Sequence, residues 1–557
     1  MAYLLFPGRH LLTTAFQSDY LWSILRLPIN KLELLGEYKG DGEDKIDTII
    51  FAVTSANQEN SRYNPIPFHM RSIELDRFSE DYRNALGVKT EIVAIPHFHP
   101  NEHFGEYILK EYSEKTENQT VLTPKNTIVL CSTLALIQQY QKLGFAVLTS
   151  EYDVKEEKLK SKTPIDYLRL FASSEGEWEM NAEFTTGVSK ATQKFWKDFP
   201  SVPTKILRLW KDPLLTEEGS LTKTRNYSTY AQGMGHTALL DAKYKDINQS
   251  VKTGKIVDEG CADGALMTLL AKDFSDSDII GIEITSEFTA RCLERQRAGE
   301  FGGTFVHFHQ RNLMDKIFED NSIDTTICNS TTHEIWSYGD REESLFKYLK
   351  LKFDQLSKNG RLIIRDVVGP EDKEKIVYLE LNDRDGSNDN IFKICSNQDE
   401  LRDHLSGLST SARFIRFTED YLKDMREGER RGDETKIKFE KTIIDNKNYF
   451  VLRLKDAMEF LTKKDYVDNW QSELNEEFAF WSFSEWKDIL RKIGFHIIEN
   501  PNELERSSRA FGISWIVDNR LKGKGTIYTK DGNSLNVLPY PPTNMVIIAT
   551  KEGTFDN

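Results

Sequence analysis

Along the first 150 residues, short apolar runs alternate with segments of helical period. "DTIIFAVTSA" (47–56), "TEIVAIPHF" (90–98), "NTIVLCS" (126–132) and "FAVLTSE" (145–151) are rich in Val, Ile and Leu and read as strands. Helical runs at 70–86 and 134–143 lie between them. That alternation predicts a buried parallel sheet joined by right-handed crossovers. The opening "LFPGRHLLTTAFQ" (5–17) reads as strand, loop and helix, and 152–250 reads as mainly helical and polar. A second alternation begins at 255, where "KIVDEGCADG", "DIIGIEIT", "GTFVHFHQRN", "DTTICNST" and "GRLIIRDVV" have the spacing of five successive strands. From about 371 to 475 the pattern turns charged and helical, then the α/β pattern resumes with "FSEWKDILRKIGF" and closes on "TNMVIIATKEG". "TIYTKDGNSLNVLPY" carries a Lys-Asp-Gly turn between alternating runs and predicts a hairpin.

The fold class expected is therefore α/β: two Rossmann-like doubly wound sheets with a helical insertion. The divisions fall at 1–200, a helical linker 201–245, a core 246–370, an insertion or lid 371–475, and the end of the second sheet at 476–557. A chain of 557 residues exceeds what one hydrophobic core serves. Its net charge of −15 gives no strongly basic nucleic-acid surface, although a local basic groove can coexist with an acidic whole. "MAYLLF" lacks the basic flank and length of a signal peptide, and no run reaches a membrane span. The five cysteines are scattered and never form a C-x-x-C pair, which suits reduced thiols and a cytoplasmic location.

Candidate chemistry concentrates in 255–340. Gly260, Ala262 and Gly264 of "VDEGCADG" permit close backbone approach by a ligand, and Glu283 ends the next strand about 20 residues on, where an acid accepts hydrogen bonds from ribose hydroxyls. A dinucleotide loop presents G-x-G-x-x-G to a pyrophosphate. Here Asp258 and Asp263 frame the loop, and their carboxylates repel pyrophosphate but suit an ammonium and a sulfonium.

With these motifs in order, 240–370 and 476–557 resemble the class I S-adenosylmethionine-dependent methyltransferases. "VDEGCADG" matches the first motif with Ala262 at the usual middle glycine, "GIEIT" the second, and "HQRNLMD" the adenine segment. "DTTICNSTTHEIWSY", "LSKNGRLIIRD" and "FSEWKDILRKIGF" match the later elements. The resemblance implies S-adenosylmethionine as cofactor. Asp258, Gly260, Ala262 and Gly264 would lie at its methionine part, Glu283 at the ribose, Asn312 and Leu313 near the adenine, and Asn329 at the same rim. His333 is the candidate base, with Glu334 and Tyr338 beside it at the sheet's C-terminal edge; a histidine that only bonds its surroundings is the alternative. Arg365 and Asp366 end the fifth strand and either bind substrate or pair with each other. Trp470, Phe478, Phe480 and Trp481 read as buried core or as a lid lining.

The N-terminal motifs resemble the nicotinamide-mononucleotide adenylyltransferase branch of the HIGH-type nucleotidyltransferases. Gly8-Arg9 align with the start of the phosphate loop, Asn64-Pro65 and Arg71 with the middle segment, and Ser161, Thr163 and Gly176-Glu177-Trp178 with the last. The places of the two phosphate-handling histidines are taken by Thr14 and Gln17, and that of an arginine by Asp166. These groups carry no positive charge with which to stabilise a phosphate in transfer. The expectation is a nucleotide-binding domain, taking ATP or another nucleotide through Gly8, Arg9, His10, Thr14, Gln17 and Thr163, with impaired catalysis. "HFHPNEH" (His97, His99, His103) reads as nucleotide-pocket or solvated-loop histidines, with a metal as the alternative, and no metal site is assigned.

Three whole-protein readings follow. The first is a methyltransferase acting on a nucleotide-related small molecule or RNA, with an accessory nucleotide-binding domain. The second is a bifunctional nucleotidyltransferase and methyltransferase; the third is a non-catalytic nucleotide-sensing scaffold. Retained methyltransferase motifs favour the first over the third, and the replaced histidines favour it over the second. "REGERRGDETKIK" (426–438) reads as a solvated face, with an RNA contact as the alternative. No membrane partner is expected, and the methyl acceptor and oligomeric state are left open.

Overall fold

A computed structural model of the chain describes residues 2–97, 102–153, 156, 158–174, 176–211, 237–422, 436–500, 506–512 and 520–552. The stretches "TEEGSLTKTRNYS" and most of "REGERRGDETKIK", as well as His99, lie outside the described residues. The chain forms two units, Met1–Ser220 and Leu221–Asn557.

In the first unit, β1 (Ala2–Gly8), β2 (Ile46–Val53), β3 (Lys89–Ala94), β4 (Thr127–Leu130) and β5 (Ala146–Leu148) pair in the order β3-β2-β1-β4-β5, all parallel. The run "IIFAV" at 49–53 is wholly buried, as a strand covered on both faces must be. The strand order reverses between β1 and β4, which opens the crevice where ligands sit in such sheets. Helix Ala15–Leu25 starts at Thr14, whose hydroxyl accepts the Gln17 N–H while the Gln17 side chain accepts the Thr14 N–H. Helix Ser201–Lys211 buries Val202 and Ile206 in one core with Phe171 and Trp196.

In the second unit, β6 (Lys255–Glu259), β7 (Asp278–Glu283), β8 (Val306–Gln310), β9 (Ile323–Asn329) and β10 (Leu356–Val367) are the five strands anticipated. They pair in parallel in the order β8-β7-β6-β9-β10. The segment expected as an insertion carries helices Gln398–Gly407, Thr410–Asp420 and Leu454–Lys463, and also three strands: β11 (Ile376–Leu381), β12 (Glu440–Ile444) and β13 (Lys447–Arg453). The run "IVYLEL" buries every second residue, the signature of a half-covered strand that its charged flanks obscure. Asp445 and Asn446 close the β12–β13 hairpin at φ of 50° and 61°, a turn those residue types tolerate.

Beyond them come β14 (His496–Ile497), β15 (Arg509–Phe511), β16 (Gly525–Asp531), β17 (Ser534–Leu538) and β18 (Asn544–Thr550). β18 enters the large sheet antiparallel between β10 and β14, and β15 also pairs with it. The predicted hairpin is β16–β17, and it joins β11, β12 and β13 in a second, antiparallel sheet. Trp470, Phe414, Phe417 and Phe460 belong to that sheet's core, whereas Phe480 and Trp481 pack under the large sheet with Trp486. Helix Thr237–Ile247 is part of this unit, its Tyr244 hydroxyl donating to Asp273 at 2.7 Å.

Candidate active site

The loop from β6 to helix Ala265–Asp273 turns on three left-handed residues: Gly260 (φ 73°), Ala262 (φ 47°) and Gly264 (φ 78°). A side chain on Gly260 would meet Thr331 Oγ1 at 2.6 Å, so that glycine is a steric requirement. Ala262 has no such exemption and is held in place by its neighbours. Its N–H donates to Glu283 Oε2 at 3.1 Å, and its carbonyl accepts the Cys292 thiol at 3.1 Å. The other Glu283 oxygen accepts the Thr285 N–H at 2.8 Å. Burial raises the Glu283 carboxyl to about 7 against those hydrogen bonds, with the nearby Glu334 charge adding to the rise.

The two aspartates that frame the loop differ in state. Asp263 is neutralised by Arg295, whose Nη2 donates to Oδ2 at 2.7 Å. Asp258 is buried, and its Oδ2 has no hydrogen-bond partner. Burial, with the Glu259 and Glu283 carboxylates close by, pushes Asp258 up to about 7. An orphaned buried carboxylate oxygen beside a turn of left-handed residues is what a cationic ligand head would satisfy. Lys243, buried on helix Thr237–Ile247, also feels Asp258; burial and Arg365 lower it to about 8. Below the loop, Lys352 and Glu259 form a fully buried ion pair at 2.7 Å. Asn312 caps its own turn by accepting the Met314 N–H at 3.0 Å, Leu313 packs on the core of the large sheet, and Asn329 ends β9 with Oδ1 accepting Ser330 Oγ at 3.4 Å.

At the rim, helix Thr332–Tyr338 begins against Asp366, whose Oδ2 accepts the Thr332 N–H at 2.7 Å and its hydroxyl at 2.6 Å. The other Asp366 oxygen lies 2.7 Å from His333 Nδ1, and Glu476 Oε2 lies 3.4 Å from His333 Nε2. Burial works against the charged imidazole, but Asp366 and Glu476 outweigh it and raise His333 well above its ordinary value, while Asp366 falls to about 2. A histidine set between two carboxylates favours its charged form. Tyr338 donates to Glu476 Oε1 at 3.1 Å. Arg365 and Asp366 do not pair, because successive strand residues face opposite sides; Arg365 instead donates to Asp246 at 3.0 Å. Phe478 meets the His333 ring edge-on at 5.1 Å, so this aromatic touches the rim.

His333, Glu334 and Tyr338 are thus brought together, as are Asp258, Gly260, Ala262, Gly264 and Glu283. Sequence reading missed Glu476 and Lys243. The signal for the first was an acidic pair inside the apolar run "NEEFAFWSF", since charges amid aromatics are rarely solvated.

In the first unit the residues expected at a nucleotide make contacts within the chain. His10 (φ 48°) is half-buried with Nε2 3.0 Å from the Phe6 carbonyl, and desolvation lowers it to about 4. Gln17 caps Thr14 and also donates to the buried Glu151 at 2.7 Å. Thr163 bonds Asp166 at 2.6 Å, and Arg71 is spent on the carbonyls of Arg9, Thr54 and Ser55. Arg9 donates to the Tyr63 carbonyl at 3.1 Å and lies over its ring, while Gly8 ends β1 at the crevice. His97 lies 3.0 Å from Ser55 Oγ.

Residues 250–444 match the family profile described as a methyltransferase domain. The five parallel strands of the large sheet and the acid-framed loop lie within that match. Among solved structures, the chain is similar to a SAM-dependent methyltransferase from Thermotoga maritima at 15% identity and TM-score 0.28, covering 59% of this chain and 97% of that one. It is similar to the YcgJ protein of Bacillus subtilis at 13% identity and TM-score 0.28, covering 57% and 100%. A third similarity is to the Burkholderia thailandensis 1,6-didemethyltoxoflavin-N1-methyltransferase with bound S-adenosylhomocysteine, at 10% identity and TM-score 0.26, covering 59% and 84%. No curated protein matches the chain. No described helix is long and apolar enough to cross a membrane.

Proposed function

We propose that the second unit transfers the methyl group of S-adenosylmethionine to a small, nucleotide-related acceptor bound at the rim beside His333. The observation that carries this reading is the orphaned Oδ2 of buried Asp258 at the foot of the turn 260–264. S-adenosylmethionine supplies an electrophilic methyl on a sulfonium. Asp258 receives the ammonium of its methionine part, the backbone at Gly260, Ala262 and Gly264 lies against that chain, and Glu283 takes the ribose hydroxyls. Asn312 and Leu313 flank the adenine. His333 serves as a fixed polar anchor for the acceptor, with Glu334 and Tyr338 completing the polar wall. Such a site accelerates transfer chiefly by holding two reactants in line and excluding water.

Calorimetry with S-adenosylhomocysteine tests the assignment. Glu283→Ala and Asp258→Asn should each weaken binding at least about tenfold, the loss of a charge-assisted hydrogen bond. Unchanged affinity in both folded variants would refute the site. The acidic net charge favours a small molecule over RNA as acceptor.

For the first unit we propose nucleotide binding without turnover. It is supported by the crevice between β1 and β4 at Gly8 and Arg9, and by His10, which desolvation lowers to about 4. Calorimetry with ATP, paired with a search for released pyrophosphate, should show binding alone.

A further inference from the structure

The polar wall at the rim has a composition that methyl transfer does not require. A ring nitrogen of His333, a Glu334 carboxylate oxygen and a Glu476 carboxylate oxygen all lie within 4.8 Å of one another. His333 and Glu476 are buried and Glu334 is half-buried. We infer that these three side chains form a site for one divalent transition-metal cation of the zinc or manganese kind, bound through His333 Nε2 and the carboxylates of Glu334 and Glu476.

Three features carry this beyond a group of acids. First, the donor set mixes imidazole and carboxylate, which is the chemistry of zinc, manganese and iron sites and not of a solvated acidic patch. Second, the His333 Nε2 to Glu476 Oε2 separation is 3.4 Å. Two ligands at zinc bond lengths of about 2.0–2.1 Å in tetrahedral array stand about 3.3–3.4 Å apart, so the buried pair already has the spacing of adjacent ligands. A side-chain rotation of Glu334, the half-exposed member, brings in the third.

Third, the outer partners are in place. Asp366 Oδ1, 2.7 Å from Nδ1, fixes the ring so that Nε2 faces the site, the carboxylate–histidine arrangement that orients metal ligands. Tyr338 holds the far oxygen of Glu476 at 3.1 Å, and the buried Lys463 ammonium binds the Glu476 carbonyl. Both contacts help to fix Glu476 at the rim. A cation bound there sits between His333 Nε2 and the Glu476 carboxylate. Three protein ligands leave at least one coordination position, which an oxygen or nitrogen of the acceptor would fill. Metal binding itself is independent of the methyl-transfer reading and is measured with no cofactor present.

The test uses the full-length chain stripped with chelator, then titrated by calorimetry with Zn²⁺ and separately with Mn²⁺, circular dichroism confirming that each variant is folded. The expected result is uptake of one equivalent of at least one ion by the wild type. Glu334→Gln and Glu476→Gln should each weaken it at least about tenfold, as removal of a charged ligand does. Glu342→Gln, an exposed acid at the next helix, should bind as the wild type does. If Glu476→Gln fails to fold, Glu334→Gln alone decides, since its side chain is at the open edge. The inference is overturned if the folded wild type takes up neither ion at one equivalent, or if Glu334→Gln binds as tightly as the wild type.

Discussion

Ala262 occupies a left-handed conformation that costs an L-residue roughly 1–2 kcal/mol. The surrounding hydrogen bonds from its N–H to Glu283 and from the Cys292 thiol to its carbonyl survive replacement by glycine. Ala262→Gly should therefore raise stability by about 1 kcal/mol in urea unfolding, the relief of strain exceeding the entropy that glycine adds to the unfolded chain. Asp258 makes a second prediction at this scale. The folded chain keeps its proton up to about pH 7, whereas an ordinary aspartate has lost it near 3.8. Between those values the folded state binds more protons, so stability declines as pH rises through the window and levels off above it. A ligand ammonium requires the ionised form. Affinity for S-adenosylhomocysteine should accordingly fall by about tenfold per pH unit below 7, and Asp258→Asn should flatten the slope to what Glu283 alone contributes. Binding isotherms from pH 5.5 to 8 check this.

The helix Glu342–Gln355 carries Lys352 on its buried face, 2.7 Å from Glu259 at the end of β6. Neither group reaches solvent, so each depends on the other. Lys352→Met should cost about 3–5 kcal/mol, because it strands a carboxylate in the core; Lys352→Met combined with Glu259→Gln should recover much of it. Chemical denaturation of the two variants separates these outcomes. The same reasoning explains why the antiparallel sheet of 371–475 escaped the sequence reading. Its strands mix Lys, Glu, Asn and Arg with apolar residues, and over five to seven positions that pattern yields to the helical runs around it. The parallel strands, buried on both faces, wrote continuous apolar runs and were legible.

At the scale of the molecule, two units with separate cores predict unfolding in two transitions. S-adenosylhomocysteine at 100 times its dissociation constant should stabilise the second unit by about 2.7 kcal/mol and leave the first where it was. Differential scanning calorimetry with and without the ligand reads both, and Lys352→Met should lower the same transition that the ligand raises.

What the sequence determined by itself is local. A parallel strand, a small-residue turn and an acid at the end of the next strand follow from neighbours in the sequence, so the left-handed turn and the acid that meets it were visible in "VDEGCADG" and "GIEIT". The state of each side chain was decided only by the tertiary structure. Asp263 is paired with Arg295, Asp258 is not; Gln17 is taken up by Glu151; His333 stands between Asp366, 33 residues away, and Glu476, 143 residues away. Charge, protonation and ligand-binding capacity depend on burial and on distances of a few ångströms, and those distances are set by which strands and loops the fold brings side by side.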